Sequence, residues 1–134
     1  MTKEELVQII KDNFTNELGF VDISKLDFGN ATIDISHMKV DGNLHQSNQE
    51  VEGDLYQSNQ KVEGDLYQGG QVVGLDVFQD NQKVEGDLYQ GGQVVGEDLI
   101  QRNQTVGQDL FQSGQKVDRN LYESQQEVGG KIIN

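Results

Sequence analysis

The sequence predicts a mainly β, single-domain β-solenoid, wound from eleven-residue repeats with 22 residues in each coil and capped at its N-terminus by an α-helix. Three observations predict it. Nine valines stand eleven residues apart, from Val40 to Val128, and four residues after each comes an aliphatic side chain, from Leu44 to Ile132. Self-similarity at a fixed period marks a repeat architecture. An eleven-residue apolar period also suits a right-handed helical supercoil. Fourteen of the 16 glycines lie from Gly42 onward, however, and each costs a helix roughly 1 kcal/mol relative to Ala, on the order of ten kcal/mol in all. Finally, the block KVEGDLYQGGQVVG at 61–74 recurs at 83–96. The pair before the second glutamine is glycine-rich in alternate units, as in Ser58-Asn59, Gly69-Gly70, Asp80-Asn81 and Gly91-Gly92. Two similar halves then close one 22-residue coil.

Residues 1–19 form the capping helix. Thr2 and Glu5 fit a capping box. Leu6, Ile9, Ile10, Phe14 and Leu18 share one face at helical spacing, and Gly19 is a stop. The expected role is to cover the open end of the coils; binding a partner is the other use of such a helix. Residues 20–39 read as irregular first rungs. Ala31, Ile33 and Ile35 alternate with polar neighbours, which is a strand signature. An end rung has only one neighbour, so it departs from the repeat. Residues 40–134 carry the regular unit V-x-G-D-L-Y-Q-x-x-Q-x. Each unit is expected to give one short strand and one turn. V-x-G-x-L places Val, Gly and Leu on one face at period two, and Ser-Asn, Gly-Gly and Asp-Asn pairs are turn chemistry.

Coils about 4.8 Å apart stack identical residues in columns. Valine and leucine fill the interior, and glycine fits where the walls approach most closely. The glutamine columns, Gln46 to Gln112 and Gln49 to Gln126, suit amide ladders; inward and outward orientations both stand. The aromatic position (Tyr56, Tyr67, Phe78, Tyr89, Phe111, Tyr122) follows an inward Leu. Alternation points it outward, whereas a bend would turn it inward as a second core layer.

Composition narrows the function. A length of 134 residues suits one domain. Without Cys, disulfides and thiolate metal sites are excluded. No apolar run approaches the roughly 20 residues of a membrane span. Glu4 and Glu5 stand where a secretory leader would be basic, so a cytoplasmic protein is expected. Asp and Glu number 23 against 10 Lys and Arg, a formal charge of -13. Such a field repels nucleic acid and membranes and attracts basic surfaces; acidity also keeps a repeat protein soluble. Low hydrophobicity with high charge suits disorder too, but a disordered chain has no reason to hold apolar columns in register.

No catalytic constellation is present. His37 and His45 are the two histidines, and the nearby Asp34, Ser36 and Asp41 make no triad by sequence proximity. There is no Walker loop or dinucleotide fingerprint. No cofactor or metal is expected, because the order of Asp and Gly-Gly departs from calcium-binding solenoid repeats. The better clue is acidic. Asp54, Asp65, Asp76, Asp87, Asp98 and Asp109 occupy one repeat position, which the V-x-G-D-L consensus sets between an inward Gly and an inward Leu, and so point outward on two sides of the coil. Glu52, Glu63 and Glu85, with Asp41 and Asp118, add a neighbouring partial column. Like charges about 5 Å apart repel by about 1 kcal/mol or less per exposed pair. A basic partner gives such a ladder a use; bonding of the Asp side chain to backbone at the adjacent turn is the alternative. No capping helix follows Gly129 and Gly130. An uncovered rung invites pairing, which predicts a homodimer through the C-terminal end at Leu121, Tyr122, Ile132 and Ile133.

The Gly42-Asn43-Leu44, Gly53-Asp54-Leu55, Gly64-Asp65-Leu66 and Gly86-Asp87-Leu88 cores resemble the A-(D/N)-L-x-x unit of pentapeptide-repeat proteins, although the period here is eleven and not five. That family forms right-handed four-sided β-solenoids, and some members are acidic DNA mimics that bind DNA gyrase, often as end-to-end dimers. The repeated V-E-G-D-L is similar to bactofilins, which polymerise end to end as cytoskeletal solenoids. Small acidic proteins of mobile elements, including anti-CRISPR inhibitors, are similar in charge and size. The resemblance implies a DNA mimic, and without a catalytic constellation an enzyme is not expected. Its carboxylates would engage a basic DNA-binding protein or nuclease, such as a CRISPR nuclease, gyrase or restriction enzyme, without touching nucleic acid or membrane. The alternative is a self-assembling scaffold of bactofilin type.

Overall fold

The computed structural model describes residues 3–14, 21–24, 32–124 and 126–133. One helix, α1 (Lys3–Phe14), precedes a parallel β-solenoid with 22 residues in each coil. Its strands are two residues long and stack into four parallel sheets. The early ones are β1 (Val21–Asp22), β2 (Ile33–Asp34), β3 (Lys39–Val40), β4 (Leu44–His45) and β5 (Glu50–Val51). Equivalent residues pair across coils. Leu44 pairs with Leu66, and Leu66 with Leu88; Val40 pairs with Val62, and Val62 with Val84. The first turn is irregular, since β1 pairs Val21 with Leu44, one residue more than a full coil.

Each eleven-residue unit yields two strands and two corners, not the single strand expected, so a coil has four sides. The chain bends at the glycine between Val and Leu, because the corners of successive coils nearly touch there. A Cβ on Gly96 would overlap the carbonyl oxygen of Gly74, and one on Gly107 that of Glu85. The other corner is the Gln-x-x-Gln turn. Its third residue takes a left-handed φ, 57° to 59° at Asn48, Asn59, Asn81 and Asn103, and 67° to 72° at Gly70, Gly92 and Gly114. Asn and Gly are the residues that accept this conformation at least cost.

Inward valines and leucines form one apolar cluster running from Ile10 to Leu110. Each fully buried aliphatic contributes about 1.5–3 kcal/mol. Both glutamine columns also face inward: from Gln46 to Gln104 each is at most 1 % exposed. Burying an amide is costly unless it is bonded, and these are bonded in ladders. In the column that follows the aromatic residue, Nε2 donates one coil onward: Gln46 to Gln68 at 3.0 Å, Gln57 to Gln79 at 2.7 Å, Gln79 to Gln101 at 2.8 Å. In the other column Nε2 donates one coil backward: Gln71 to Gln49 at 3.0 Å, Gln82 to Gln60 at 3.1 Å, Gln93 to Gln71 at 2.9 Å. Cross-links such as Gln46 to Gln57 at 2.9 Å tie opposite corners together. Among the described residues no buried side-chain nitrogen or oxygen lacks a partner.

The aromatic position faces outward, half-buried, in stacked rows. Ring centroids along His45, Tyr67, Tyr89 and Phe111 lie 4.5 to 4.7 Å apart, as do Tyr56 and Phe78 at 4.7 Å. At the N-terminal end α1 packs on β1. Ile10 is buried and Leu6 lies against the core. Ile9, expected on the same face, is 42 % exposed. Thr2, Leu18 and Gly19 lie outside the described residues.

Candidate functional site

The aspartate columns begin with the glycine corner. That bend leaves the N–H of the residue just before the inward Leu or Val without a backbone partner, and the aspartate one coil earlier accepts it. The Asp76 N–H donates to Asp54 Oδ1 at 3.0 Å, Asp87 to Asp65 at 2.8 Å, Asp98 to Asp76 at 2.9 Å and Asp109 to Asp87 at 2.9 Å. Thr32 and Asn43 fill the role at the first coils. Asp98 and Asp109 accept from Asn120 and Lys131 at the last. One carboxylate oxygen is therefore structural, as the backbone-bonding alternative required, and the half-buried group still turns its other oxygen outward.

The 22-residue coil separates the six aspartates onto two sides, and the sides differ. Tyr67 donates its hydroxyl to Asp65 Oδ2 at 3.3 Å, and Tyr89 to Asp87 Oδ2 at 3.2 Å. On the other side Tyr56 follows Asp54 without donating to it, and Phe78 and Ile100, after Asp76 and Asp98, have no hydroxyl to give. The second oxygens of Asp54 and Asp76 have no hydrogen-bond donor among the described residues. Asp98 faces Arg119 Nε at 4.0 Å. Burial of the ring, then the neighbouring aspartates, push the Tyr56 and Tyr67 hydroxyls up, and the Tyr89 hydroxyl to about 12.

Glu52, Glu63 and Glu85 are all exposed, but they do not make one column. Asp41, Glu63 and Glu85 follow strands of one sheet, whereas Glu52 and Asp118 follow the sheet opposite. Adjacent units look alike in sequence, yet they lie on opposite faces. Charge also varies along the axis. Residues 50–71 carry five carboxylates and one lysine, 72–93 four and one lysine, and 94–115 three and one arginine. Residues 116–134 carry three of each sign.

In that last stretch, of zero net charge, Leu121, Tyr122, Ile132 and Ile133 are 38 % to 46 % exposed. Not anticipated from the aspartate pattern is a column of Lys39, Lys61 and Lys83, whose signal was the 22-residue spacing of these lysines. Among the described residues no three acidic or histidine side chains converge as a metal site would require. None of the helices described is long and apolar enough to cross a membrane. No protein-family model matches the chain, and neither a curated protein nor a solved structure is similar to it at a significant level.

Proposed function

We propose that the protein is an acidic DNA mimic that binds and inhibits a DNA-binding enzyme, of the nuclease or gyrase type, an anti-CRISPR inhibitor being one form this takes. The observation that carries the reading is linear charge density. The three coils spanning residues 50–115 hold net charges of -4, -3 and -2, about three per coil at a rise of about 4.8 Å. Duplex DNA carries one charge per about 1.7 Å of axis, about three in the same length. The carboxylates sit on a rod whose register is set by ladders, so a basic DNA channel meets them without the cost of ordering them. The four-sided parallel coil supports the likeness to pentapeptide-repeat DNA mimics.

Asp54, Asp76 and Asp98 form the side with the less occupied oxygens and are the residues expected to meet Lys and Arg of the target. The test is capture of the target from a bacterial lysate, elution by salt, and displacement of the purified target by duplex DNA. Joint replacement of Asp54, Asp76 and Asp98 by Asn should weaken binding at least tenfold and flatten its salt dependence. Unchanged affinity and slope would overturn the mimicry. A second reading, a self-assembling scaffold of bactofilin type, is favoured by the exposed apolar residues and zero net charge of residues 116–134. Filaments of the purified protein in electron micrographs would decide for it.

A further inference from the structure

The lysines follow a pattern that DNA mimicry leaves unused. Between residues 26 and 115 the chain has three lysines, Lys39, Lys61 and Lys83. All three fall in one outward column: Lys39 pairs in register with Lys61, and Lys61 with Lys83. The repeat alone does not put them there, since the same position on the opposite face holds Glu50, Val72, Val94 and Lys116. Strand pairing sets the three lysines about one coil spacing of 4.8 Å apart along the axis, where like charges repel. None of the three forms a salt bridge among the described residues.

The column lines an open cleft of about 300 Å³, together with His37, Asn59 and Asn81. On a chain with 23 carboxylates, no carboxylate lines this wall. Asp80, at the same corner as Asn81, is held by Arg102 at 3.0 Å. Glu63 and Glu85 lie beyond the lysines, on the side away from the asparagine corner. His37, Asn59 and Asn81 all take left-handed φ values of 58° to 65° and are exposed, so their polar side chains project at the rim. The basic strip is short, because the next positions in the column are Thr105 and Glu127.

We propose that this cleft binds a linear oligophosphate laid along the solenoid axis. One phosphate can share its oxygens between two ammonium groups a coil apart, so three in line hold successive phosphates of a short chain. Lysine is a compact point charge suited to phosphate oxygens, and the Asn59 and Asn81 amides add donors. A nucleic acid fits poorly, since a longer polyanion would overrun the strip and meet Glu127 and the acidic columns.

Calorimetric titration with sodium tripolyphosphate at about 0.15 M ionic strength tests this on the whole chain. The expected result is saturable one-to-one binding, with orthophosphate at least tenfold weaker. Lys61→Gln should lose at least tenfold, Lys61→Arg should retain binding, and Lys116→Gln, at the same repeat position on the opposite face, should match the unaltered protein. Thermal unfolding of each variant separates a lost site from a lost fold. The proposal is overturned by absence of saturable binding, by equal affinity for orthophosphate, by Lys61→Gln binding normally while folded, or by an equal loss in Lys116→Gln. None of these outcomes depends on the aspartate columns, so the two proposals stand or fall separately.

Discussion

Replacing Gln79 with leucine removes one rung of an amide ladder while nearly conserving volume. Gln79 is fully buried. Its Oε1 accepts from Nε2 of Gln57 at 2.7 Å, of Gln68 at 3.3 Å and of Gln93 at 3.3 Å, and its Nε2 donates to Gln101 at 2.8 Å and Gln90 at 3.2 Å. Each of these neighbours keeps another partner: Gln57 still donates to Gln71, Gln68 to Gln82, and Gln93 to Gln71, while Gln101 and Gln90 still accept from Gln115 and Gln104. The loss therefore falls mainly on the two short bonds. At about 1 kcal/mol net for each, plus about 1–3 kcal/mol for amide groups left short of partners, and less a small apolar gain from leucine, the variant should lose roughly 3 kcal/mol. That is a large part of the roughly 5–15 kcal/mol typical of a domain. Urea unfolding followed by circular dichroism reads it as a lower midpoint at unchanged slope. Gln79→Glu adds a pH signature. A buried carboxyl titrates above its unfolded value of about 4.3, so the native state holds its proton more tightly. The variant should be close to normal below pH 4 and lose stability as pH rises toward 7. A Gln79→Leu protein within about 0.5 kcal/mol of the original would refute the reasoning, showing that the amides are mere filling.

Asp76→Asn should leave thermal stability almost unchanged, because Asn keeps the Oδ1 acceptor, as Asn43 does for the Asp65 N–H at 2.7 Å; Asp76→Ala should cost about 1 kcal/mol in the same melt. Gly96→Ala should destabilise by several kcal/mol or prevent folding, since its Cβ would overlap the Gly74 carbonyl oxygen. Gly92→Asn, at φ 70° with no such overlap, should fold normally by circular dichroism. Stability should fall between pH 10 and about 12, because folded Tyr89 keeps its proton to about 12 while the unfolded chain releases it near 10. Stability is thus full below pH 10 and lost as pH rises through the folded value, and Tyr89→Phe should shrink the fall seen in alkaline unfolding curves. Leu121→Asp with Ile132→Asp should turn any homodimer into a monomer in sedimentation velocity; a concentration-independent monomer before substitution would remove the dimer proposal.

The valine and leucine columns were legible because apolar periodicity needs no knowledge of the rest of the coil, and KVEGDLYQGGQVVG revealed the coil length by repeating at 22 residues. The number of sides was not legible. V-x-G-x-L reads as a straight strand until the crowding of Gly86 against Asp65 and Gly64 is known. Glutamine orientation was hidden for a related reason. A lone inward Gln is costly, and only stacking of Gln57, Gln79 and Gln101 supplies the partners that make it tolerable. The motif shared by neighbouring units groups Glu52 with Glu63, although successive units lie on opposite faces. The split role of the aspartates was the least visible, since one oxygen of Asp54 serves the backbone of Asp76 while the other turns outward.

The opposed donation of the two glutamine columns has a consequence for length. Amide dipoles pointing up one column cancel those pointing down the other within every coil, so the interior builds no macrodipole of the kind an α-helix accumulates. Added turns would bring no growing partial charge to either tip. Any electrostatic ceiling on how far such a rod can extend comes from its skin of carboxylates, which salt or a cationic surface can quench.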